Sequence, residues 1–139
     1  MSGRRMQVLV YTLRFIAVVQ FILGFAFLLA PVPMSEALGL AKTAGWANWL
    51  FGMMAARFLG FGYGMWIAAR DPYTHVSWIK AMVFIQVVDW FCTIYYVMQD
   101  EVTWLQVNTA ALFPVIFVFL LWATFPRKQD RPRVRSEAT

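Results

Sequence analysis

Three ionisable residues, Arg14, Arg57 and Asp89, stand inside long apolar stretches of this chain. A charged side chain within such a stretch is expensive to place, so each marks a functional or pairing position. Asp89 has polar company at helical spacing. Gln86, Thr93 and Tyr96 fall within about 60° of it on a helical wheel and form a polar seam, with Cys92 at its edge. At about 1.5 Å per residue, Arg57 lies about 15 Å from one end of its apolar stretch and Asp89 about 14 Å from the same end of the next. An Arg57–Asp89 ion pair near mid-depth is therefore expected. It admits three roles: a satisfied buried pair that fixes helix register, a polar pocket for a head group, cofactor or proton, or a pair completed by another subunit.

Other chemistry is bounded by what is scarce. Cys92 is the single cysteine, which excludes an internal disulfide and a multi-cysteine metal site. His75 is the single histidine, which excludes two-histidine clamps for haem or zinc within one chain. No metal site is expected. Beside Asp71 and Tyr73, His75 reads as a solvated residue, with an axial haem or chlorophyll ligand as the rival role. No cofactor can be assigned, no residue is given a catalytic role, and no motif names a reaction.

The elements that must position these residues follow from composition. Of 139 residues, 61% are hydrophobic and 14% charged, against about a quarter charged in a soluble domain. Such a chain needs an apolar solvent. A membrane-crossing helix takes roughly 20 apolar residues, and four stretches qualify, at about 7–30, 47–69, 75–98 and 102–125. The first is too long for a signal-peptide core and is followed by Pro31-Val32-Pro33 rather than a small-residue cleavage site. The expected fold is all-α: an antiparallel, up-down four-helix transmembrane bundle over residues 1–126, then a basic, disordered cytoplasmic tail over 127–139.

Loop charge sets the orientation. Arg4, Arg5, Arg70, Lys80 and the tail cluster from Arg127 to Arg135 lie at one end. Lys42, Glu36, Asp100 and Glu101 lie at the other. Both termini are therefore expected in the cytoplasm. Trp46, Trp49, Trp104, Tyr95 and Tyr96 would then lie near the outer interface, and Tyr11, Tyr73, Trp78 and Trp122 near the inner one. Nucleic acid is not an expected partner, since the basic residues accompany no groove-reading element; membrane lipids are.

Helices in a bilayer approach through small residues. Gly52, Ala56, Gly60 and Gly64 recur every four residues and predict a packing groove on the second span, either within the bundle or between subunits. Gly62 lies off that stripe. Pro114 interrupts the fourth span, Gln20 and Asn108 are candidates for interhelical hydrogen bonds, and Arg14 can snorkel to headgroups. A short surface helix starting at Ser35 is expected in the longest loop.

Arg14, Gly24 and Pro31 in the first span, followed by Arg57-Phe58-Leu59-Gly60 and Gly64 in the second, resemble the small bacterial four-helix membrane proteins that include the DoxX-like families. The resemblance implies a bacterial inner-membrane protein, and some members of that group are accessory membrane subunits of redox systems. Asp89 has no counterpart in it. Small size and no soluble domain point to a non-catalytic accessory or scaffold subunit, working with a membrane-protein partner or as a homo-oligomer. The alternative is an enzyme or binding protein for a lipid-soluble small molecule held at an Arg57–Asp89 pocket.

Overall fold

The computed structural model describes residues 3–40 and 44–126, and these are all-α. Five helices follow in order: α1 (Gly3–Leu29), α2 (Pro31–Ala37), α3 (Ala47–Arg70), α4 (Val76–Met98) and α5 (Trp104–Thr124). Lys42 and the tail from residue 127 lie outside the described residues, and with them part of the charge tally and the disordered-tail expectation. α1, α4 and α5 are long and apolar enough to cross a membrane. α3 has the length but is not one of these; Asn48, Arg57, its glycines and its Trp and Tyr residues dilute its apolar content.

Local chemistry sets the helix ends. α2 begins at Pro31, not at Ser35 as the sequence predicts. Proline suits a first helical position, where its missing N–H would have had no partner. Ser35 is buried inside the helix, and its hydroxyl donates to the Val32 carbonyl at 2.9 Å. α5 begins after Thr103, which forms a capping box with Gln106. Between α3 and α4, Asp71 accepts hydrogen bonds from the backbone N–H groups of Tyr73 at 3.1 Å and Thr74 at 3.2 Å. This is the side-chain turn that aspartate favours. The Thr74 side chain first, and then its backbone N–H, hold the Asp71 carboxyl below its ordinary value of 3.8.

α1 and α3 make the most extensive contact, running antiparallel with small residues at the crossing points. A Cβ on Gly24 would come within 2.8 Å of the Leu59 side chain, and one on Gly62 within 3.1 Å of the Phe21 ring. Phe27 lies against Phe51 and Phe58, with ring centroids 5.6 and 6.3 Å away. α4 and α5 form a second pair.

The two pairs meet around one core, built from Leu9, Leu13, Ile16 and Ala17 of α1, Met65, Ala68 and Ala69 of α3, Ile79 and Met82 of α4, and Phe117 and Leu121 of α5. All of these lie toward the end that carries the start of α1 and the Asp71 turn. Phe15–Phe117 and Phe61–Trp78 ring contacts, each with centroids 6.0 Å apart, join the pairs there. Arg5 donates to the Phe125 carbonyl at 3.3 Å, a favourable cation at the end of α5. At the opposite end Gln106 donates to the Gly39 carbonyl at 2.7 Å. Gly39 sits at φ +68°, where a side chain would be strained.

Candidate functional site: polar residues on α3 and α4

Successive residues turn about 100° around a helix, so known contacts orient the rest. Ala55, Leu59 and Gly62 meet α1, whereas Phe61 and Gly64 meet Trp78 of α4. Arg57, one turn from Phe61, continues the α4-facing side of α3. On α4 the face of Trp78, Met82 and Gln86 continues into Asp89 and Thr93.

The pairing itself is not made within the chain. Counted outward from the Gly64–Trp78 contact, Arg57 lies about 10 Å along α3 and Asp89 about 16 Å along α4. Both side chains are exposed, and among the described residues neither joins an ion pair or a side-chain hydrogen bond. The shared core stops short of their level. At a helix centre in a bilayer, Arg or Asp costs about 2.5–3.5 kcal/mol each unless paired or hydrated.

The rest of the seam is satisfied locally. Gln86 is buried, with its amide nitrogen 3.6 Å from the Met82 sulfur. Thr93 donates to the Asp89 backbone carbonyl at 2.8 Å. Tyr96 is exposed and stacks edge-on with Tyr95, centroids 5.3 Å apart. Cys92 is exposed. Gln20 is buried at 8% exposure, and its carbonyl oxygen has no partner among the described residues. Asn108 is exposed, as is Arg14, and His75 is the half-buried residue preceding α4.

The small-residue stripe divides in two. A Cβ on Gly64 would overlap the Trp78 indole, but Cβ atoms on Gly52 and Gly60 would meet open space, and Ala56 is exposed. A four-residue repeat drifts about 40° per step, which carries Gly64 round to α4 while Gly52, Ala56 and Gly60 face away from the core. Gly62, off the stripe, is close-packed against α1. Trp78 is half-buried between helices.

The sequence did not reveal a groove of about 500 Å³ between α4 and α5. Val87, Trp90 and Phe91 line one wall, Pro114, Val115, Val118, Phe119 and Trp122 the other, and Gln86 adds an amide to the lining. Pro114 and the aromatics were visible, but nothing in one sequence shows which of them leave a gap. Compared with known proteins, the chain matches no family model, no curated protein and no solved structure.

Proposed function

We propose that this chain is a multi-pass protein of the bacterial inner membrane and serves as a non-catalytic accessory or scaffold subunit of a membrane assembly. In this proposal α1, α3, α4 and α5 all cross the bilayer as an antiparallel four-helix bundle. The tight antiparallel packing of α3 on α1 supports a fourth crossing despite the polar content of α3. Much of the surface is large and apolar, including Phe25, Leu29, Phe84, Phe119 and Trp122, as lipid contact requires and water disfavours. Arg4, Arg5, Arg70 and Lys80 gather at one end, opposite Glu36, Asp100 and Glu101, which favours cytoplasmic termini. Resemblance to the DoxX-like group belongs to the same proposal; its Gly24 and Gly64 are close-packed positions.

One observation carries the subunit role. Among the described residues Arg57 and Asp89 are left without partners, beside an unfilled stripe of Gly52, Ala56 and Gly60. A finished, self-contained membrane bundle would not leave both charges and a close-approach surface unused. The test is co-purification from native membranes, combined with labelling of single cysteines placed at positions 4 and 100 in a Cys92→Ser chain. Position 100 labelled from outside, position 4 protected and a stoichiometric membrane partner are the expected results. A chain that sits on the membrane surface or always isolates alone would refute it.

A second function is favoured by the α4–α5 groove, which has the size and apolar lining of a small-molecule site. It would hold an acyl chain or another lipid-soluble molecule, with Gln86 as the polar contact. A photoactivatable fatty acid should then label α4 and α5 peptides and be competed by its unlabelled parent; labelling spread over all helices would remove this alternative.

A further inference from the structure

We infer that the partner completing Arg57 and Asp89 is a second copy of this chain, with each Arg57 paired to the other copy's Asp89. The inference rests on the membrane-subunit proposal and names its first partner. Charge complementarity selects the occupant. Among the described residues, Arg57 and Asp89 are a cation and an anion without partners on the adjoining sides of α3 and α4. A different protein would have to supply both opposite charges at matching positions. A second copy supplies them by symmetry, because a two-fold interface presents the same patch from both sides.

Membrane insertion makes the geometry specific. Copies inserted in one orientation are related by an axis along the membrane normal, so each residue keeps its depth in both. Arg57 and the second copy's Asp89 then differ by about 6 Å in depth, from about 10 and 16 Å beyond the Trp78 level. The long arginine stem covers such a difference while its guanidinium reaches a polar partner. The surface that lets the copies approach is the open face of α3. Gly52 and Gly60 have nothing within 4 Å of a built Cβ, and Gly60 is about 60° from Arg57 around the helix. Packing of that face against the other copy's α4, and the reverse, would place each Arg57 at the edge of the interface, toward the other copy's Asp89.

Two complementary variants separate a pair between copies from one within a copy. Arg57→Asp leaves two anions per chain and Asp89→Arg leaves two cations. Each variant alone should lose self-association by on the order of 30-fold or more, the usual effect of unpairing a desolvated charge. Co-expressed with different tags, they should associate with each other as wild-type copies do, because both cross-pairs are restored. The readout is recovery of one tag through the other from native membranes, with insertion of each chain checked by its amount there. Wild-type chains with two tags supply a measurement that needs no variant. If those copies do not recover one another, the inference fails. It also fails if either variant self-associates normally, or if the mixture is not rescued. Should each tag bring down a different membrane protein but never the other copy, the second-copy inference falls and the subunit proposal stands; should both tags isolate alone, both fall.

Discussion

Gly64 of α3 lies against the indole of Trp78 of α4 so closely that a single added Cβ would overlap the ring. This contact is where α3 is held to α4, and the core gathers around it. Gly64→Ala should therefore push the indole away and destabilise the folded chain by about 1–3 kcal/mol, the usual cost of overpacking. Unfolding in mixed micelles by a denaturing detergent would measure the change. Trp78→Ala combined with Gly64→Ala should recover part of the packing strain, since the clashing ring is gone.

Gly60, one turn away, should behave in the opposite manner. Its Cβ direction is open, so Gly60→Leu should leave the stability of the single chain unchanged. If the open face of α3 is an interface, the same substitution should abolish association in the membrane. Crosslinking in native membranes, run beside detergent unfolding of the isolated chain, reads both properties.

The contrast between these glycines shows how much the sequence discloses. Helices over most of 3–29, 47–70, 76–98 and 104–124 are visible from long apolar runs bounded by loop residues and charges. The start of α5 falls two residues inside the apolar run expected from about 102, at the Thr103–Gln106 capping box. The four-residue repeat from Gly52 to Gly64 is also visible, but not which members touch a neighbour, because that depends on a slow drift around the helix. Gly62 and Trp78 were missed for the same reason: their roles arise from a partner helix whose rotation a sequence does not state. Arg57 and Asp89 were placed at similar depth on neighbouring helices by counting residues, yet counting cannot tell how far apart two helices run.

Gln106 links the start of α5 to the loop after α2. Its carbonyl oxygen accepts from the Thr103 N–H at 2.8 Å and its nitrogen donates to Gly39 at 2.7 Å. Gln106→Ala removes both and should cost about 0.5–2 kcal/mol, as loss of a helix cap does. Hydrogen exchange read by mass spectrometry should rise in peptides covering 38–40 and 103–107, and remain at wild-type levels around the Asp71 turn.

Acid should open the Asp71 turn only late. Hydrogen bonds from Thr74 and from the Tyr73 N–H hold this carboxyl below 3.8. A folded pKa below the unfolded one means its contribution is present above about pH 4 and is lost as pH falls through the lower, folded value. In micelles, the Tyr73 and Thr74 amide resonances should shift together with a midpoint below 3.8. Asp71→Asn should abolish that transition, and a midpoint above 3.8 would contradict the assigned turn.

Native mass spectrometry of the tagged chain, released gently from its own membranes, tests the central claim most directly. The subunit account predicts an assembly of more than one chain for the wild type and a shift to single chains for Arg57→Gln with Asp89→Asn. A wild-type protein that is always a single chain, carrying a discrete non-phospholipid molecule that these substitutions remove, would contradict it and make the two charges a ligand site instead.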